Sequence, residues 1–166
     1  MEEGTPRRRV TPRTIASQVC EALNRAGVRY LVIGGVACIL HGYVRATTDV
    51  DVLIERTTEN AQRTLDALAG LGWGFVQEWS PAEILRRPIT VIGDDPAVDV
   101  FTVAWNVQYD DAVARSSVVE VEGVRIPLIS IEDLIATKRT GRLQDAADIE
   151  ALEAILRVRI ERGERR

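Results

Sequence analysis

Apolar residues change their period several times along the chain, and each change marks an element. Ile15, Val19 and Leu23 recur at helical spacing and Gly27 follows, which predicts a helix. Thr11-Pro12 ahead of it has the form of an N-cap followed by Pro at the first helical position. Val28 to Ile33 is short, apolar and β-rich, so it reads as a buried strand. Gly34-Gly35 then turns the chain into a short helix, Val36 to His41, which Gly42 ends. Asp49 to Ile54 reads as a second strand and Glu59 to Leu71 as a helix. Further strands are predicted near Gly74–Gln77, Ile89–Ile92 and Val98–Thr102. Ser117–Glu122 and Val124–Leu128, joined at Gly123, predict a hairpin. Ser130-Ile131-Glu132-Asp133 resembles a capping box with Asp in place of the usual Glu or Gln. The helix it opens is interrupted at Thr140-Gly141, and a last helix runs from about Gln144 to Arg159. Mixed strands and helices with a helical end predict an α/β or α+β fold: a mixed sheet flanked by helices, with C-terminal helices.

A chain of 166 residues suits one domain with its own core. The expected organisation is a basic tail over 1–13, a single domain over 14–160 and a basic tail over 161–166. No apolar run approaches the roughly 20 residues of a membrane helix. The N-terminus has three consecutive arginines and no apolar stretch, unlike a secretory signal. A cytoplasmic protein with no membrane partner is expected. Cys20 and Cys38 lack partners at metal-ligand spacing and are expected to be buried thiols.

Charge alters this picture in one respect. The net charge is −4, yet residues 1–13 and 157–166 carry +2 and +3. The middle of the chain therefore holds −9, which is unlike a DNA-coating protein and suits a site that gathers divalent cations. The basic ends are read as solvated tails, with nucleic-acid contact as the alternative.

The acids are concentrated where strands are expected. In Thr48-Asp49-Val50-Asp51-Val52, alternation puts Asp49 and Asp51 on one face while Val50 and Val52 anchor the strand. Adjacent carboxylates repel, and a divalent cation removes that cost. Ala97-Val98-Asp99-Val100-Phe101 repeats the device with one acid. Asp is depleted in strands, so its recurrence points to metal binding over a plain solvated face. If the two strands pair, Asp99 completes a set able to hold two Mg²⁺ ions about 3.5–4 Å apart, the arrangement of in-line phosphoryl chemistry.

Ahead of these acids stands a strand, a glycine pair and a helix: Leu31-Val32-Ile33-Gly34-Gly35-Val36. Glycine permits close backbone approach, and a helix N-terminus offers N–H groups to phosphate. Gly34-Gly35, thirteen residues, then Asp49-Val50-Asp51 resembles the signature of the polymerase-β-like nucleotidyltransferase superfamily. The wider set, Gly34-Gly35-Val36-Ala37, His41-Gly42, Arg45 and Thr48-Asp49-Val50-Asp51, is similar to its single-domain bacterial branch of minimal nucleotidyltransferases and abortive-infection AbiEii-type toxins. Ile131-Glu132-Asp133-Leu134, Lys138, Arg142, Asp145 and Asp148-Ile149 extend the likeness, which covers about Val28 to Leu156. Many members have Ser after the first Gly; Gly35 keeps the backbone contact and lacks the hydroxyl.

The resemblance implies transfer of a nucleoside monophosphate from an NTP to an acceptor hydroxyl. Asp49, Asp51 and Asp99 are the implied catalytic and metal-binding residues, holding two Mg²⁺ ions, with Mn²⁺ as a substitute. Gly34, Gly35, Arg45, Thr48 and Lys138 are the implied NTP contacts. RNA or tRNA ends, an antibiotic or a protein are the implied acceptors, with an antitoxin or a second copy as the implied partner. A nucleotide- or protein-binding module without catalysis, and a nuclease, are the alternatives.

Two features of the C-terminal part stand on the residues themselves. Ile131, Leu134, Ile135 and Lys138 share one helix face, so Lys138, the sole lysine beside twenty arginines, is directed toward the core and needs an anion; snorkelling to the surface is the alternative. Asp145 heads an apolar stripe, either pairing with Lys138 or Arg142 or capping the helix, and Asp148 lies one position round from it. With His41, these make a candidate outer shell of His41, Arg142, Asp145 and Asp148; a structural role for the lone histidine is the plainer reading. Trp73, Trp79 and Trp105 read as core residues in preference to base-stacking platforms.

Overall fold

The computed structural model describes residues 13–72, 74–94 and 97–164. Six strands form one mixed sheet in the order β3-β4-β2-β1-β6-β5. β1 (Tyr30–Ile33) is buried along its length, as a central strand must be. It runs antiparallel to β2 (Val50–Ile54), pairing Ile33 with Asp51. β2 runs parallel to β4 (Val98–Phe101), whose other edge carries the antiparallel β3 (Ile89–Ile92). On the opposite side β6 (Val124–Leu128) lies parallel to β1, and β5 (Ser117–Val121) closes the edge. Glu122 and Gly123 between β5 and β6 both have positive φ, 52° and 76°, the primed turn whose twist matches a two-residue hairpin.

Helices cover the sheet. α1 (Ile15–Arg25) sends Val19, Cys20 and Leu23 into the core, and α3 (Thr58–Ala69) sends Ala61, Leu65 and Leu68. α2 (Gly34–Leu40) starts directly at the glycine pair. The chain ends in α6 (Ile131–Thr137) and α7 (Leu143–Glu161), packed on each other. Both cysteines are buried and free. Among the described residues no helix is long and apolar enough to cross a membrane.

Four details depart from the expectations. α1 is capped by Thr14, whose hydroxyl accepts the Ser17 N–H; Thr11-Pro12 lies outside the described residues. The strand expected at 74–77 is a 3₁₀ turn, Gly74–Glu78. A short helix α4 (Pro81–Leu85) follows it, opened by a full capping box between Ser80 and Glu83. A further single-turn helix α5 (Tyr109–Ala112) precedes the hairpin. The last three are too short to show a helical or strand period in sequence.

Candidate active site

Register brings the acids together. The C-terminal end of β1 meets the start of β2, and β4 lies parallel to β2, so Gly34, Asp51 and Asp99 converge at one end of the sheet. Asp51 is paired directly with Asp99 across the β2–β4 ladder. Asp49 stands just before β2, its Oδ1 accepting the Ala97 N–H at 3.3 Å. All three acids line a cavity of about 520 Å³ together with Gly34, Gly35 and Lys138. Val50 and Val52, on either side of Asp51, are buried and fix the strand.

This crowding alters the protonation of the acids. Burial raises the Asp51 carboxyl from its ordinary value to about 7. The hydrogen bond and charge of Asp99 add to that, and so does the charge of Asp49, while Lys138 opposes it. Asp99 is raised as well, first by burial. Its Oδ1 is buried and has no hydrogen-bond partner. A carboxyl held toward its neutral form and an orphaned buried acceptor are both costs that a divalent cation relieves. The all-oxygen donor set suits Mg²⁺ or Mn²⁺. Among the described residues no three acidic, His or Cys side chains already converge at metal-ligating distance, and Asp49 is turned onto Ala97.

A cationic wall faces the acids. Lys138 is only 6% exposed, so it does not snorkel. Its Nζ donates to Asp148 Oδ2 at 2.8 Å and stands 3.8 Å from Asp145 Oδ1. Arg45 donates to the same Asp148 oxygen at 2.6 Å. Arg142 reaches Asp145 at 2.7 Å, and Thr140 donates to that acid too. Asp145 is held below its ordinary value: burial opposes this, but Thr140 and Arg142 outweigh it. Arg45, Lys138 and Arg142 all line the cavity. Asp148 is fully buried behind them, with Gln144 on its other oxygen.

The sequence profile described as "Nucleotidyltransferase of unknown function (DUF6036)" matches residues 14–165. The chain belongs to this family. No curated protein sequence is significantly similar to it. Among solved structures, it is similar to an antigenic nucleotidyltransferase-like protein from Paracoccidioides brasiliensis, at 19% identity and TM-score 0.57, covering 87% of this chain and 74% of that one. It is also similar to the lincomycin-bound lincosamide antibiotic adenylyltransferase LnuA, at 13% identity and TM-score 0.53, covering 87% of this chain and 99% of that one. At these identities the likeness shows the fold, which is that of a nucleotidyltransferase.

Not every anticipated residue of this family member reaches the cavity. Thr48 does not line it; Thr47 does, with its hydroxyl near the Asp49 carbonyl at 3.4 Å. His41 is buried away from it. Arg159 can only donate, so Nδ1 of His41 accepts from it at 3.3 Å and Nε2 donates to the Ile129 carbonyl at 2.8 Å; burial lowers the basicity of the ring. The histidine ties α2 to the segment after β6. Thr140 and Trp105 line the cavity and were not anticipated there. Trp79 packs on the core as expected, under Arg87, and Trp73 lies outside the described residues.

Proposed function

We propose that this chain transfers a nucleoside monophosphate from an NTP to an acceptor hydroxyl. The observation that carries the reading is the lateral pairing of Asp51 with Asp99 in one cavity with Gly34 and Lys138. In this reading Asp49, Asp51 and Asp99 hold Mg²⁺. When bound, the metal screens the acids from the phosphates and lowers the pKa of the acceptor hydroxyl. The backbone at Gly34 and Gly35, which no side chain caps, presents N–H groups to the triphosphate. Lys138, Arg45 and Arg142 balance its charge. The acceptor oxygen forms a bond to the α-phosphorus, the α–β bridging bond breaks, and pyrophosphate carries off that electron pair. Asp99 takes the proton of the acceptor hydroxyl. Positioning and electrostatics supply the rate, and the protein forms no covalent bond itself.

The acceptor is proposed to be an RNA or tRNA end, a hydroxyl-bearing antibiotic or a protein, and the setting a toxin–antitoxin pair. A small-molecule acceptor draws support from the fold shared with a lincosamide adenylyltransferase. A non-catalytic binding module is the second reading; Asp49 turned toward Ala97 favours it.

Incubation with Mg²⁺, each α-labelled NTP and total tRNA, beside Asp49→Ala, tests the proposal. Label on RNA with the native chain alone supports it. Absence of both label and Mg²⁺-dependent NTP binding refutes it.

A further inference from the structure

Trp105 occupies a backbone position that suits glycine. Ala104 and Val107 exchange both backbone hydrogen bonds at 2.9 Å, so Trp105-Asn106 are the two central residues of a tight turn. Trp105 has φ 58°, whereas Asn106 is not among the residues of positive φ. A positive φ at the first central position alone is the pattern in which glycine is the preferred residue. A bulky aromatic there is strained, and such strain is retained where a side chain's place matters.

The ring gains little from the fold in return. Trp105 is 59% exposed, while Trp79 packs against the core. It stands on the lining of the same cavity as the acids, beside Ile89, Phe101 and Ala104. These four come from β3, β4 and the turn after β4, which is the apolar side of the site. Lys138 and Arg142 come from the ends of α6 and α7 and form the charged side. One cavity of about 520 Å³ thus joins a cationic wall, a set of acids and an apolar wall ending in an exposed indole.

An NTP has the same polarity, with charge at one end and a flat ring at the other. We infer that Trp105 is a binding residue for the nucleobase of the NTP, stacking on it while the cationic wall takes the phosphates. This rests on the nucleotidyl-transfer reading and adds the place of the base. Every base has a π-face, so such a platform holds all four with modest preference.

Calorimetric titration of the full chain with Mg²⁺ and each NTP tests it, with inorganic tripolyphosphate as a base-free probe and no turnover needed. Trp105→Gly suits the turn, so its melting temperature stays level or rises. Its NTP affinity is expected to fall on the order of tenfold or more, its tripolyphosphate affinity to stay unchanged, and Trp105→Phe to keep most of the NTP affinity. Equal NTP affinity in the native chain and Trp105→Gly, with tripolyphosphate bound by both, overturns the stacking role and leaves the phosphate site standing. Failure of the native chain to bind either probe overturns the nucleotide reading as a whole, and stacking with it.

Discussion

The carboxylate of Asp51 fills the place that a side chain on Gly34 would take. A β-carbon built on Gly34 would lie 1.8 Å from Asp51 Oδ2, and the residue has φ 66°. The first glycine therefore makes room for a neighbouring acid. Gly35 is similar: its β-carbon would meet the Thr47 hydroxyl at 2.7 Å.

Gly34→Ala consequently strikes the site through Asp51. The left-handed backbone alone costs about 1–2 kcal/mol with a β-carbon present, and the contact with Asp51 adds to it. On the proposed role of Asp51 in holding the metal, displacing it by about 1 Å is expected to lower turnover on the order of 100-fold. Thermal melting and transfer rate, measured together, check both effects. Gly35→Ala is expected to disturb Thr47 with a smaller loss of activity.

The raised carboxyl of Asp51 gives the metal-free protein an unusual pH dependence. The unfolded chain loses this proton near the ordinary carboxylate value, whereas the folded chain keeps it to about 7. The folded state thus binds the extra proton between those limits, so this group's contribution falls as pH rises through that window and is level above it. With EDTA present, the melting temperature is expected to drop from about pH 5 to about pH 7.5. Asp51→Asn should flatten that drop, and Mg²⁺ at higher pH should reverse it in the native chain only.

Asp148 holds two cations on one oxygen with no exposure to water. Asp148→Ala leaves Lys138 and Arg45 without that counter-charge and is expected to cost about 3–5 kcal/mol in denaturant unfolding. The double variant Lys138→Met, Asp148→Leu should regain part of this stability while NTP affinity stays weak. Recovery of affinity along with stability would contradict the place given to Lys138.

Asn60 anchors α3 far from the cavity. Its side chain accepts the Arg29 N–H at 2.8 Å and donates to the Arg29 and Glu55 carbonyls at 2.9 and 3.0 Å. Asn60→Leu strands those backbone groups and is expected to cost about 2–3 kcal/mol. Transfer activity of the folded fraction should match the native chain.

Much of this architecture was legible in the residues. Asp51 and Asp99 interrupt apolar strands, and strand pairing brings these two side by side; Asp49, expected in the same strand as Asp51, instead lies one residue ahead of it and reaches the cavity from the preceding loop. Lys138 revealed its inward direction through helical spacing, though its buried partners, Asp148 foremost, come from tertiary packing. Thr47 and Thr48 are adjacent and chemically identical, so only the backbone path decides which one faces the cavity. Trp105 looked like any core aromatic because a tight turn closed by Ala104 and Val107 has no sequence mark when Trp and Asn occupy it in place of Asn-Gly. The α4 helix, by contrast, was signposted by Ser80-Pro81 and Glu83, a capping box ahead of a helix too short to show a period.

The most direct test of nucleotidyl transfer compares α-labelled with γ-labelled NTP in a cell extract supplied with Mg²⁺ and the purified chain. RNA, protein and small-molecule fractions are separated and pyrophosphate is measured. The account predicts that α-label enters one fraction, that γ-label leaves as pyrophosphate, and that Asp99→Asn abolishes both. Label from the γ-position on the acceptor, or inorganic phosphate in place of pyrophosphate, would contradict it.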